Sequence, residues 1–211
     1  MKRFIVAIDA SINSTGVTVY DREKDFYHIF AYSIPSKNVW EDKEKQKVEK
    51  KQKENFKIKG KNYKVKFILQ KIDEANDFLR FYKIARKLFK LITKIVEKDN
   101  YDLYIEEVVY SYGRSDSISQ FATLLKLNFY KFDGTLYNPV YNNTLKKVII
   151  GDGKAKKDDV IKYISDNYKF HNEIKNKIAE RNIRLDNGSF FEDMTDSLML
   201  SIYAQKTSIN S

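Results

Sequence analysis

The order of apolar and polar positions at the start of the chain predicts three antiparallel strands. An unbroken apolar run, Phe4–Ile8, is typical of a strand buried on both faces, and we assign this strand to Arg3–Ala10. Turn-forming residues follow and lead into a second strand, Val17–Tyr20, so the two predict a hairpin. A third strand-like stretch, Phe26–Ile34, ends at Pro35.

A lysine-rich stretch comes next, and we interpret residues 37–70 as an insertion in a single domain that spans 1–211. Residues 36–54 lack apolar periodicity, which predicts a solvated helix or a mobile segment. Residues 56–67 alternate strictly around a Gly-Lys-Asn turn and predict a β-hairpin with one apolar and one lysine face. The apolar face is expected to pack on the rest of the protein, because an isolated two-stranded hairpin is marginal in water.

The remainder of the chain mixes helical and strand periodicity. The predicted helices are Ile72–Lys98, Ser117–Tyr130, Lys156–Tyr168 and Glu192–Gln205. The predicted strands are Tyr101–Val109 and a short one from Val140, while Thr144–Ile150 is read as strand or loop. A strand that follows a helix is expected to run parallel to the first strand. The sequence therefore predicts an α/β fold with a mixed five-stranded sheet, three antiparallel strands followed by parallel ones, flanked by helices.

The amino-acid composition limits which partners and which kinds of site the protein can have. Thirty-nine basic residues against twenty-nine acidic ones give a net charge of +10, which favours a polyanionic partner. The absence of cysteine excludes disulfides, thiolate metal sites and a cysteine nucleophile. Only two histidines are present, His28 and His171, which weakens a zinc or serine-triad interpretation. No apolar run is long enough to span a bilayer, so we expect a cytoplasmic protein without a membrane partner, from a bacterial cell or a virus-infected host cell.

Four acids fall where such a sheet would gather them. Asp9 ends the first strand, Glu106 lies in a later strand, and Asp193 and Asp196 are three apart at the start of the last helix. Taken alone, Asp9 either pairs with a cationic side chain or binds a metal, and Asp193 is also compatible with a helix N-terminal cap. Together, hard oxygen ligands point to Mg²⁺, with Mn²⁺ as a substitute. Two such ions are the usual device for phosphodiester cleavage.

Four segments in order resemble the RuvC-type Holliday junction resolvases of the ribonuclease H-like (retroviral integrase) superfamily. The segments are Ala7–Ser11 with Thr15 and Gly16, Ile105–Val108, Lys146–Lys157 and Glu192–Leu198. The third is the most specific, because a lysine, a Gly-x-Gly and a further lysine directly precede a helix. The chain has Asp-Ala-Ser after its first strand where the family has Asp-Pro-Gly, which changes the turn but keeps the acid.

The resemblance implies a ribonuclease H-like fold and a homodimer that makes paired nicks in four-way DNA junctions, with helix 117–130 at the dimer interface. It implies that two Mg²⁺ ions are held by Asp9, Glu106, Asp193 and Asp196. Lys146 and Lys157 would be the basic catalytic pair near the scissile phosphate. Further DNA contacts are expected from Lys154, Lys156, Tyr110, Tyr112 and Arg114, one of the two tyrosines stacking at the junction.

Two questions stay open at the level of sequence. The lysine face of the insertion, which carries Lys57, Lys59, Lys64 and Lys66, is either a solvated excursion or a DNA-gripping ribbon. The function is either nucleolytic or that of a non-catalytic branched-DNA binder, and the presence of all four acids argues against the second.

A sugar-kinase or actin-like ATPase also places Asp, hydroxyl residues and Gly after its first strand. We find no second Gly-rich phosphate loop, so no nucleotide cofactor is expected.

Overall fold

A computed structural model describes residues 1–11, 14–33, 56–69, 76–107, 115–180 and 189–208. Outside these ranges lie the predicted segment 36–54 and three residues expected to contact DNA, namely Tyr110, Tyr112 and Arg114. No helix among the described residues is long and apolar enough to cross a membrane.

The described residues form a mixed sheet of seven strands with helices on both faces. The strands are β1 (Phe4–Asp9), β2 (Ser14–Asp21), β3 (Phe26–Ser33), β4 (Phe56–Lys59), β5 (Tyr63–Leu69), β6 (Tyr101–Glu107) and β7 (Tyr137–Tyr141). The helices are α1 (Asp77–Ile92), α2 (Ser115–Asp133), α3 (Asn142–Ile150), α4 (Lys157–Asn167), α5 (Lys169–Glu180) and α6 (Ser189–Ser208). The strand order is β4-β5-β3-β2-β1-β6-β7.

Strand directions match the prediction, but the strand number does not. Strand β2 is antiparallel to both β1 and β3, and β6 and β7 run parallel to β1. The predicted five-stranded sheet is wrong in number because the insertion hairpin, β4 and β5, joins the sheet edge, with β5 parallel to β3. An edge strand presents unpaired N–H and C=O groups, and the hairpin satisfies those of β3.

Two helical assignments also differ from the sequence prediction. Residues 144–150 belong to helix α3, because Leu145 and Ile149 are buried four residues apart, a helical spacing, and Gly151 ends the helix at φ 91°. Helix α5 was not predicted, although Phe170, Ile174 and Ile178 are buried at the same spacing.

The two sheet faces are covered by different helices, and strand alternation assigns each side chain to one of them. Val6 and Ile8 belong to the core that α1 and α2 cover. Ala7 belongs to the opposite core, with residues of α3, α4, α5 and α6. Asp9, two residues after Ala7, therefore points to the face that α6 covers.

Candidate active site

Asp9 and Glu106 lie at the same end of two adjacent parallel strands. Ile8 of β1 pairs with Ile105 of β6, so the acids that follow these residues are neighbours across the pair. Both point to the α6 face, because Ile8 and Ile105 point to the other one. Glu107 lies on the opposite side and forms a salt bridge with Lys126 of α2 at 2.9 Å.

Gly16 allows α6 to approach the sheet closely beside Asp9. Gly16 is paired with Asp9 in the β1–β2 register. A Cβ atom at Gly16 would lie 1.9 Å from the backbone oxygen of Asp193 and 3.1 Å from the Cβ atom of Ser197. The hydroxyls of Thr18 and Ser197 are hydrogen-bonded at 3.0 Å in the same buried contact. The missing side chain of Gly16 therefore sets the distance between Asp193 and the end of β1.

Helix α6 begins earlier than predicted, which changes the interpretation of its acids. The helix starts at Ser189, so Asp193 lies beyond its first turn and the interpretation of Asp193 as an N-terminal cap is wrong. Asp193 and Asp196 keep the predicted three-residue spacing and share one helix face.

A buried histidine network holds the turn of α6 that carries both acids. The Thr195 hydroxyl donates to the Phe191 carbonyl oxygen at 2.7 Å, so it accepts a hydrogen bond from His171 Nε2 at 2.9 Å. His171 Nδ1 then accepts from the Ser165 hydroxyl at 2.9 Å. Burial lowers the pKa of His171 to about 4, so the ring is neutral at pH 7. The network joins α4, α5 and α6 through one histidine.

All four acids have raised pKa values, and their mutual repulsion contributes. Burial raises the pKa of Asp9 well above its ordinary value, and Glu106, Asp196 and Asp193 raise it further. Burial also raises the pKa of Glu106 and of Asp196. Burial and the charge of Asp196 raise the pKa of Asp193 to about 7. The four carboxyl groups therefore lie within electrostatic range of one another.

The predicted basic pair lies beside these acids. Lys157 Nζ is 2.8 Å from Glu192 Oε2 and 3.4 Å from Asp196 Oδ2. Lys146 is close enough to lower the pKa values of Glu106 and Asp196.

The other lysines predicted to contact DNA form no ion pair with these acids within the described residues. Lys154 and Lys156 are exposed in the loop between α3 and α4. The insertion lysines, Lys57, Lys59, Lys64 and Lys66, lie on the other face of the sheet, because Lys66 shares its row with Phe30 and Ile8.

One residue at the site was missed by sequence reasoning. Asn142, the first residue of α3, donates a side-chain hydrogen bond to Glu106 Oε1 at 2.7 Å, which lowers the pKa of Glu106 against the effect of burial. Glu106 is paired with Val140 of β7, and Asn142 comes two residues later. This pairing between distant segments carries no signal in the local sequence.

The carboxylate oxygens of the four acids are the type of ligand that binds a hard divalent cation. Oδ2 of Asp193 is buried and has no hydrogen-bond partner among the described residues. Carboxylate oxygens are the ligands that Mg²⁺ prefers. Within the described part of the chain, however, no three acids or histidines already converge in a metal-holding arrangement. The Lys157 ammonium group stands against Asp196, where it would compete with a cation.

The sheet order, the strand directions and the position of the acids define a mixed α/β fold of the ribonuclease H-like class. Solved structures with this fold include Thermus thermophilus RuvC, with a TM-score of 0.53 and 10% identity over 98% of this chain and 96% of that chain. A second is T. thermophilus RuvC in complex with a Holliday junction substrate, with a TM-score of 0.56 and 10% identity over 98% of this chain and 94% of that chain. No protein-family model and no curated protein sequence matches the chain. The protein therefore has a RuvC-like fold.

Proposed function

We propose that this protein is a structure-selective endodeoxyribonuclease that resolves four-way DNA junctions by Mg²⁺-dependent hydrolysis, acting as a homodimer. The observation that carries the proposal is the group of four acids from β1, β6 and α6 on one sheet face, flanked by Lys146 and Lys157. The RuvC-like fold supports the same conclusion. The net charge of +10 fits a DNA substrate.

In the proposed site, Asp9, Glu106, Asp193 and Asp196 hold the Mg²⁺ ions. When bound, such ions activate water and stabilise the charge that develops on the phosphate. Asn142 fixes the carboxylate of Glu106 through its hydrogen bond. Thr195, held by His171, keeps the α6 turn in place between its two acids.

Lys157 has two states in this proposal. Without DNA, its ammonium group pairs with Glu192 and Asp196. When a phosphate group enters, Lys157 and Lys146 offer cationic donors to its non-bridging oxygens, which orient the scissile bond and offset its negative charge. Lys154 and Lys156 bind neighbouring phosphates, and the tyrosines at 110 and 112 and the arginine at 114 remain predicted contacts.

The proposed dimer forms through α2, as the resemblance implied for residues 117–130. Leu127 and Tyr130 lie three residues apart on this helix and are 45% and 57% exposed. Large apolar side chains that share an exposed helix face are typical of an interaction surface. Sedimentation equilibrium should give a dimer that Leu127→Glu dissociates.

The direct test is to incubate the purified protein with labelled four-way, Y-shaped and linear DNA, with Mg²⁺ and with EDTA. We expect paired, symmetric nicks in the four-way junction with Mg²⁺ and intact strands with EDTA. Tight junction binding without nicking under any metal condition would instead support the non-catalytic DNA-binding alternative. Equal cleavage of linear and branched DNA would contradict structure selectivity.

A further inference from the structure

One face of the β4–β5 hairpin carries four lysines in two directly opposed pairs. Lys57 is paired with Lys66, and Lys59 with Lys64. Three of these side chains are exposed and Lys66 is half-buried. Like charges directly opposite one another destabilise a strand pair. None of the four forms a salt bridge with another described residue, so within the described part of the chain the hairpin presents concentrated positive charge.

The hairpin presents these lysines from a rigid support. Its other face carries Ile58, Tyr63 and Val65, all buried in the core to which residues of α5 also belong. The Tyr63 hydroxyl donates to Glu173 Oε2 at 2.8 Å, and the Tyr63 ring stacks on Phe170 with centroids 5.4 Å apart. The lysine face is therefore held in a fixed position by the packing of the opposite face.

Lys94, which follows helix α1, adds a further positive charge near the lysine face. Ile68, which shares a strand face with Lys66, packs in the core with residues of α1. Burial lowers the pKa of Lys66, and nearby Lys57, Lys94 and Lys64 lower it further. We define the edge lysine surface as Lys57, Lys59, Lys64, Lys66 and Lys94.

The edge lysine surface and the four acids lie on opposite faces of the sheet. Lys66 shares a row with Phe30, Val17 and Ile8, which belong to the core beneath α1 and α2. Asp9 points to the α6 face. A phosphate group bound to this surface is therefore not the one that is cut.

We propose that the edge lysine surface, formed by Lys57, Lys59, Lys64, Lys66 and Lys94, is a second DNA-binding site, which holds the phosphate backbone of a duplex segment away from the cleavage site. This extends the proposed nuclease function, in which duplex arms leave the junction. Alternate residues on a strand are about 6.8 Å apart, and the charges of one DNA strand recur about every 3.4 Å along the helix axis. Successive lysines can thus contact separate phosphates.

The side chains of the edge lysine surface favour nucleic acid over a lipid membrane as its ligand. Membrane-surface binding relies on apolar side chains that enter the bilayer next to the basic ones. None of the large exposed apolar side chains in the described part of the chain belongs to β4 or β5. The surface therefore offers charge without an apolar anchor, as a phosphate backbone requires.

The test uses the full chain and a linear duplex in EDTA, so it does not depend on cleavage. Fluorescence anisotropy over a salt series should show a smaller slope of log K against log salt in two variants. One, the hairpin variant, combines Lys57→Gln, Lys59→Gln, Lys64→Gln and Lys66→Gln, and the other is Lys94→Gln. The slope should fall by about 0.9 for each phosphate that the variant no longer neutralises.

A control with the same charge change combines Lys131→Gln, Lys162→Gln, Lys169→Gln and Lys175→Gln, exposed lysines outside the surface. We expect it to keep most of the wild-type slope. Equal slopes for this control and the hairpin variant, or an unchanged slope in either test variant, would overturn the proposal. The proposal would also be overturned if the hairpin variant lost binding to phosphatidylserine-containing vesicles but kept binding to the duplex.

Thermal unfolding of each variant excludes misfolding as the cause. We expect the hairpin variant to be at least as stable as the wild type, because two like-charge pairs are removed. A wild-type protein that binds duplex through this surface but cuts no junction would contradict the proposed nuclease and leave the second binding site standing.

Discussion

The substitution Gly16→Ala tests whether the close contact between β2 and α6 sets the geometry of the site. The new Cβ atom would lie 1.9 Å from the Asp193 backbone oxygen, whereas real contacts of this kind are essentially never below 3.0 Å. The helix must therefore retreat by about 1.1 Å, the difference between these distances. Both α6 acids move with it, away from Asp9 and Glu106.

The expected effect on activity exceeds the effect on stability. Overpacking costs about 1–3 kcal/mol, which lowers Tm by about 2–4 °C per kcal/mol in a domain of this size. A misplacement of about 1 Å costs on the order of 100-fold in rate when catalytic groups must be aligned. Single-turnover cleavage of a labelled junction at saturating protein, together with thermal unfolding by circular dichroism, measures both effects.

Gly134→Ala is the matched control. Gly134 has φ 74°, so alanine there is strained, but a Cβ atom would meet nothing within 4 Å. We expect a modest loss of stability, about 1 kcal/mol, and wild-type cleavage. If Gly16→Ala cleaves at the wild-type rate, or loses no more activity than the control at equal stability, the contact does not position the acids.

Three further predictions concern the charged groups. Replacing one acid should abolish cleavage but keep junction binding; the variants are Asp9→Asn, Glu106→Gln and Asp196→Asn. Wild-type cleavage rates in any two of these variants would contradict this prediction. Lys146→Ala and Lys157→Ala should slow single-turnover cleavage far more than they weaken binding, and loss of affinity alone would argue against a position near the scissile phosphate. The pKa of Asp193 is raised to about 7, so the folded state binds this proton more tightly than the unfolded state. In EDTA, its contribution to stability should therefore fall as pH rises from about 4 to about 7. Urea unfolding should show a smaller decline for Asp193→Asn, and an identical pH profile would contradict the assignment.

Local sequence patterns predicted the elements whose burial repeats with a strand or helix period. The apolar run before Asp9 predicted the strand that this acid ends, and the strand predicted at Tyr101–Val109 contains Glu106. The alternation in residues 56–67 predicted the hairpin and its buried face. In each case the signal lies in the side chains of one short segment, so no knowledge of the partner was needed.

The pairing of the hairpin with β3 could not be predicted in the same way. Hydrogen bonds between strand edges are made by the backbone and leave no side-chain signal. Helix α3 shows a different limit, because Val148, Ile149 and Ile150 are β-branched and favour a strand by propensity. Burial of Leu145 and Ile149 on one side of the segment overrides that preference.

The residues that position the acids were harder to find than the acids themselves. An acid next to an apolar run stands out in a sequence because burying a carboxylate costs free energy. Asn142 and Thr195 are ordinary polar residues, and their roles depend on tertiary contacts. Gly16 belongs to one of the segments that resemble the family, but the physical reason for a glycine there is its distance to α6, which only the folded chain reveals.

The arrangement around Lys157 shows how the acid cluster is tolerated without a bound cation. Burial opposes the charge of Lys157, but its ion pairs with Glu192 and Asp196 prevail and raise its pKa, so it stays protonated and neutralises part of the cluster. Proton uptake by the remaining acids relieves more of the repulsion, as their raised pKa values indicate. A divalent cation that binds here therefore competes with one ammonium group and with protons. Its apparent affinity should depend on pH, and a phosphate group that draws Lys157 away from Asp196 would favour cation binding. If the proposed nuclease function is correct, the substrate would thus help to complete the site that acts on it.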